Sequence, residues 1–158
     1  NQAHKAIAEL ENEFKVSIIT QNVDDLHERA GSSNIIHLHG ELRKIRSSGN
    51  ENDIQDWTED LNLGDLCKNG HQLRPHIVWF GEPVPMMEKA VEICYTADIL
   101  VIIGTSMQVY PAASLIDFVP SGTPIYYIDP NPAISGNKNI NIIAKTATEG
   151  MKELKTIL

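Results

Sequence analysis

The sequence predicts an α/β fold: a mostly parallel sheet with helices on both faces and a small loop-rich insert. Three observations predict it. Short β-branched runs alternate with amphipathic helical stretches, the pattern of a parallel sheet covered on both sides. The run Asp98-Ile-Leu-Val-Ile-Ile103 is apolar on both faces, as a strand buried between two helical layers is. Residues 41–74 break the rhythm, with Gly49, Gly64 and Gly70, six acidic residues from Glu51 to Asp65, and little periodicity.

Taken in order, residues 2–14 form an amphipathic helix, because Ala3, Ile7, Leu10 and Phe14 recur at helical spacing behind Asn1, a suitable N-cap. Val16 to Thr20 is a buried strand, and Asp24 to Ala30 is one or two helical turns closed by Gly31. Ile35 to Leu38 is a second strand, ending at His39-Gly40. After the insert, Ile77 to Phe80 is strand-like again. Met86 to Thr96 is a helix with Met87, Ala90, Val91 and Cys94 on one face. The strand ending at Ile103 is placed at the centre of the sheet. A helix around Tyr110 to Val119 follows, with Pro111 near its first turn. Ile125 to Ile128 and Ile140 to Ala144 are strands, and Thr148 to Leu158 is a terminal helix.

At roughly 150 residues per domain, the 158 residues make one domain with a small insert. The formal net charge is −8, from 13 Lys plus Arg against 21 Asp plus Glu. That balance argues against nucleic acid and anionic membranes as partners, since both need clustered positive charge. The longest apolar run, Ile99 to Ile103, is far short of the ~20 residues that span a bilayer. The opening residues carry no signal-peptide pattern, and two cysteines, Cys67 and Cys94, cannot build a disulfide framework. The expectation is a cytoplasmic protein. None of the ten glycines has another two positions away, so the G-x-G-x-x-G phosphate turn is not in this sequence.

In open parallel sheets, ligands bind beyond the carboxyl ends of the strands. The strands here exit into Gln21-Asn22-Val23-Asp24, His39-Gly40, Gly81-Glu82, Gly104-Thr105-Ser106, Asp129-Pro130-Asn131 and Lys145-Thr146-Ala147. Loops are polar and glycine-rich anyway, which explains part of the pattern; amides and a histidine at the exits themselves favour a functional crest. Gly104-Thr105-Ser106 precedes a helix and could hold a phosphate or ribose, though the same three residues also make a plain turn. Asp129 stands where an acidic group commonly takes ribose hydroxyls. His39 is a candidate general base. His37 with Asp24, Asp25 and His27 invites a metal site, but no recognised ligand spacing supports one.

Four blocks then resemble one family. Thr20-Gln21-Asn22-Val23-Asp24-Asp25-Leu26-His27 with Ala30-Gly31 is similar to the T-Q-N-[IV]-D-x-L-H-x-x-A-G block of sirtuins, the NAD-dependent protein deacylases. His37-Leu38-His39-Gly40-Glu41-Leu42 resembles their H-G-x-L block. Residues 73–82, Leu-Arg-Pro-His-Ile-Val-Trp-Phe-Gly-Glu, resemble R-P-x-V-V-W-F-G-E. Gly104-Thr105-Ser106 with Val109 and Pro111-Ala112-Ala113 matches G-T-S-x-x-V-x-P-A-A.

The resemblance implies a Rossmann-like nucleotide-binding domain over 1–40 and 75–158, with 41–74 as a degenerate zinc module. It implies NAD as a co-substrate and an acyl-lysine protein or peptide as partner. His39 would deprotonate a hydroxyl of the nicotinamide ribose; Gln21, Asn22 and Asp24 would line the nicotinamide and ribose pocket. Gly104, Thr105 and Ser106 would hold the adenosine side, Asp129, Pro130 and Asn131 the adenine ribose, and Ala147 would touch the adenine. Val78, Trp79, Phe80, Gly81 and Glu82 would pair as a strand edge with the acyl-lysine peptide.

Two departures shape these expectations. The family's first strand with its G-A-G-x-S loop and its F-R segment have no counterpart here, so the resemblance implies the C-terminal two-thirds of such an enzyme. The family's two C-x-x-C pairs are reduced to Cys67, with Ser47 and Ser48 near the place of the first pair. Four ligands close a structural zinc site, so zinc is not expected and packing of Trp57 and Leu61 should hold the insert. Two rival readings are a nucleotide-binding module without catalysis and a metal-dependent hydrolase built on His37, His39 and Asp24.

Overall fold

The computed structural model describes residues 1–133 and 140–158. Helix α1 (Gln2–Leu10) starts where Asn1 Oδ1 accepts the N–H groups of Ala3 and His4, at 3.0 and 3.3 Å. It ends four residues earlier than its apolar spacing suggests, with Glu11 to Phe14 continuing as turns. Strand β1 (Ile18–Thr20) leads to α2 (Leu26–Ala30), which Gly31 closes at φ 101° in the left-handed region. Strand β2 (Ile35–His37) pairs parallel with β1, Thr20 opposite His37.

The second parallel sheet comes from β6 (Leu100–Ile103), β7 (Ile125–Ile128) and β8 (Ile140–Ile143), in that order. Here the expectation of a central strand ending at Ile103 needs correction: among the described residues β7 is the middle strand of this sheet, and β6 pairs with β7 alone. A continuous apolar run reports that both faces are covered, not that both edges are paired. Both faces of β6 are indeed covered. Val101 and Ile103 pack with Ala3, Met151 and Leu154 on one side, and Leu100 and Ile102 with Met107, Ile116 and Val119 on the other. Among the described residues no ladder joins β1 to β6.

Helix α4 (Ala147–Ile157), capped by Thr146, lies beside α1. Fully buried Leu154 and Met151 meet Ala3, Ile128 and Ile143 there, and Lys155 Nζ reaches Glu9 at 2.7 Å. Gly150 faces the sheet, where an added Cβ would collide with the Ile128 side chain and press on Ile143. A third layer forms over β1 and β2: α3 (Met87–Cys94) brings Met87, Ala90 and Ile93 against Ile36 and Leu38. Residues Ala112–Phe118, expected as an α-helix, are a 3-10 segment, with Ser114 N–H bonded to Pro111 O at 3.0 Å.

Residues 41–74 hold more regular structure than their composition announces. Strands β3 (Gly40–Ser47), β4 (Asn50–Asp56) and β5 (Leu73–Ile77) make an antiparallel sheet in the order β4–β3–β5. β4 is exposed on both faces, so it carries no apolar alternation to read. The strand expected at Ile77 to Phe80 is displaced: β5 ends at Ile77, and the following residues turn back, Glu82 N–H donating to Trp79 O at 3.0 Å. Ile45, Cys67 and Leu73 form the insert's own core, and Trp57 and Leu61 pack on it as expected.

Candidate functional site

His39 sits where the parallel and antiparallel parts meet. It follows β2, and its carbonyl accepts the Val78 N–H at 2.9 Å, extending the β3–β5 ladder by one rung. Gly40 makes this junction possible. At φ 81° it takes a backbone shape that disfavours side chains, and any Cβ there would strike the His76 carbonyl. The His39 ring is fixed through Nδ1, which donates to Gln21 O at 3.0 Å. That bond assigns the tautomer: Nδ1 carries the proton and Nε2 presents a lone pair, the arrangement of a general base.

The exit of β1 is joined in turn to the exit of β6. Gln21 Nε2 reaches Thr105 Oγ1 at 3.5 Å, and the Thr105 carbonyl accepts the hydroxyl of fully buried Tyr127 at 2.6 Å. A chain of hydrogen bonds therefore runs from Val78 through His39, Gln21 and Thr105 to β7. Gly104 N–H continues the β6 ladder onto Ile128 O at 2.9 Å, so Gly104, Thr105 and Ser106 are placed by both strands. Asn22 is set by its own N–H on Thr20 Oγ1, and Asp24 Oδ1 accepts the N–H of Leu26 before α2. Asp129, at the end of β7, accepts the Asn131 N–H at 2.7 Å in the Asp129-Pro130-Asn131 turn. Ala147 opens α4 at the exit of β8, half-buried against the core.

The peptide-edge candidates stand outward. Phe80 is 100% exposed and Trp79 55%, with Tyr110 and Tyr95 also in solvent elsewhere on the surface. Glu82 differs from its four companions. Its carboxylate is taken up by Arg74, at 2.7 and 3.1 Å, and by the N–H of Trp79 at 3.0 Å. Arg74 first, then the Trp79 N–H and Arg46, hold that carboxyl down at about 2. Neither Arg46 nor Arg74 was singled out from the sequence. Arg74 lay inside a quoted block; Arg46 offered no signal. Tyr127 was missed as well, since a tyrosine in an apolar strand reads as core.

The histidines and carboxylates expected as a rival metal centre are not brought together as proposed. His37 Nε2 donates to Glu28 at 2.7 Å and its Nδ1 faces Asn22 O at 3.2 Å, partners that His39 does not share. Glu28, His37 and Glu41 have donor atoms within 4.8 Å of one another, but Glu41 is bonded to Lys44 at 2.9 Å and the group includes neither Asp24 nor His39. This charged cleft is lined by Asp24, Asp25 and Glu28 with Arg43 and Lys44, and His39 is not part of it. His27 is buried edge-on against His4, with ring centroids 4.7 Å apart, and burial pushes its pKa down.

The insert does not fit the zinc site that the resemblance would lead one to look for. Ser47, near the place of the first cysteine pair in that resemblance, donates its hydroxyl to Cys67 Sγ at 3.4 Å. That bond leads the interactions lowering the Cys67 pKa, ahead of backbone N–H groups from Asn69 and His71. A serine hydroxyl and a single thiol fall short of the four nitrogen or sulfur ligands of a closed site. Cys94 on α3 is buried among apolar neighbours, and burial pushes its thiol up.

Comparisons with known proteins point to one family. A sequence model of the Sir2 family matches residues 1–111. The chain is 54% identical to an NAD-dependent protein deacylase of Helicobacter pylori, over 98% of the chain and 68% of that protein. It is 50% identical to one of Bacteroides thetaiotaomicron, over 100% of the chain and 70% of that protein. Among solved structures it is similar to a Sir2 homologue–NAD complex, with a TM-score of 0.86 at 40% identity, covering 99% of this chain and 64% of that one. A Sir2–p53 peptide–NAD+ complex gives a TM-score of 0.82 at 28% identity, covering 99% of this chain and 69% of that one. The chain thus spans about two-thirds of the length of the proteins it matches. These likenesses bear out the Rossmann-like α/β expectation.

Proposed function

The chain belongs to the Sir2 family, and from that premise we infer that it serves the NAD-dependent removal of acyl groups from lysine side chains, releasing nicotinamide and an O-acyl-ADP-ribose. The observation that carries this reading is the hydrogen-bonded line Val78–His39–Gln21–Thr105, which ties a peptide edge, a base and a nucleotide-side turn into one crest.

NAD supplies the ribose carbon that the acyl oxygen attacks and the nicotinamide that leaves it. Its residues here suit the two sugar ends: Thr105 and Ser106 offer hydroxyls, and Asp129 a carboxylate aligned by the Asn131 N–H. Gln21, whose carbonyl holds the base, directs its carboxamide to the β6 exit, and Asn22 adds a second carboxamide next in the chain. His39 Nε2 takes the proton of a ribose hydroxyl, and its Nδ1–H on Gln21 O stabilises the ring when it becomes charged. Trp79 and Phe80 follow Val78, whose N–H is bonded to the His39 carbonyl, and offer exposed apolar surface next in the chain.

The relatives' names and the peptide complex support an acyl-lysine peptide as the second substrate. A cytoplasmic location belongs to the same reading, supported by Cys67 and Cys94, both free and buried. Among the described residues no helix is long and apolar enough to cross a membrane.

Incubation with NAD and an acetyl-lysine peptide is expected to release nicotinamide, and His39→Ala to slow that release by about 10²–10⁴-fold. Release by His39→Ala at the parental rate overturns the assignment. Tight ADP-ribose binding with no turnover by the parent would instead favour the nucleotide-binding module.

A further inference from the structure

Arg46 and Arg74 are cross-strand neighbours on β3 and β5, and Arg46 is buried, 6% exposed. Two like charges directly opposite one another destabilise a sheet, and a buried cation without a partner costs more still. Glu82 resolves the conflict. Arg74 grips its carboxylate with both terminal nitrogens, and Arg46 Nη2 stands 3.5 Å from Oε2. The same Oε2 accepts the Trp79 N–H, while Glu82 N–H donates to Trp79 O. Gly81, at φ 89°, supplies the backbone shape this reciprocal turn needs.

The consequence falls on Val78, Trp79 and Phe80. The segment is fixed at one end by Val78 N–H on the His39 carbonyl and at the other by the Glu82 turn. Between these anchors two large aromatic side chains are held in solvent, where unrestrained chain would fold them onto the nearest apolar surface. We propose that Glu82, Arg74 and Arg46 form an ionic clamp that fixes the Trp79–Glu82 turn and so holds the Val78–Phe80 backbone in place to receive the acyl-lysine peptide. Glu82 is thereby a positioning residue, acting through the Trp79 backbone and not by touching substrate. The identity of the peptide rests on the deacylase reading; the clamp itself rests on the arginine–carboxylate geometry. Preorganisation of this kind places the ordering cost in folding instead of in binding.

The test uses anisotropy of a fluorescent acetyl-lysine peptide, with ADP-ribose titration and thermal unfolding on the same samples. Glu82→Ala is expected to weaken peptide binding on the order of 10- to 100-fold, with ADP-ribose affinity changed far less. In turnover, KM for the peptide rises by more than kcat falls. Arg74→Lys keeps the charge but loses the two-pronged grip, and is expected to lie between the parent and Glu82→Ala; it serves as the readout if Glu82→Ala does not fold. Peptide affinity equal to the parent's in a folded variant overturns the clamp, as does a parallel loss of both ligands. A parent that binds ADP-ribose but no acyl-lysine peptide overturns the deacylase reading and the peptide assignment together.

Discussion

Replacing Gly150 by alanine sets two rules against each other. Inside an exposed helix the change removes a flexible residue and gains about 1 kcal/mol. Gly150 is buried, and a Cβ there would run into Ile128, whose side chain is 0% exposed and whose backbone sits between β6 and β8. Neither a β-branched core residue nor a central strand can move aside cheaply, so the upper part of the overpacking range, about 2–3 kcal/mol, applies. The net expectation is a loss of about 1–2 kcal/mol, which for a chain of this length lowers Tm by about 2–8 °C. Urea unfolding with the slope unchanged, together with a thermal scan, measures it. A midpoint shifted upward would show that α4 does not lie against β7 as described.

Two further outcomes follow from buried polar groups. Tyr127→Phe strands the Thr105 carbonyl and is expected to cost about 1 kcal/mol in urea unfolding; ADP-ribose affinity should fall with it, and no change in either would remove the Tyr127 anchor from the account. Burial leads the effects holding His27, His4 and His76 below their usual value of 6.5. The unfolded chain then takes up protons that the native one refuses, so stability is full above about pH 6.5 and declines as the pH falls below it. Glu82 adds a second loss between about 4.5 and about 2, as its arginine-held carboxylate is protonated. A urea midpoint that is flat or rises from pH 7 to pH 5 would contradict both the burial and the sign.

The parallel part of the fold was legible because its strands are short, β-branched and covered on both faces. The clean capping of α1 by Asn1 and the closing of α2 by Gly31 could likewise be read from single residues. What could not be read was pairing. β4 is polar but for Ile54, so the antiparallel insert sheet left no periodic trace, and β6 looked central because strand pairing leaves no mark on composition. At the site, His39, Gln21 and Thr105 were named from their positions after strands, and the structure links all three. The arginines behind Glu82 and the tyrosine behind Thr105 were hidden, since their roles depend on which side chains meet across distant segments.

The packing of α1 on α4 also bears on how the molecule is made. Glu9 and Lys155 are separated by 146 residues, and closing a loop of that length costs about 4 kcal/mol in chain entropy before any apolar contact offsets it. The residues of α1 that meet Met151 and Leu154 therefore gain those two partners only after α4 has been made, and slowed translation between the two helices would delay that part of the core.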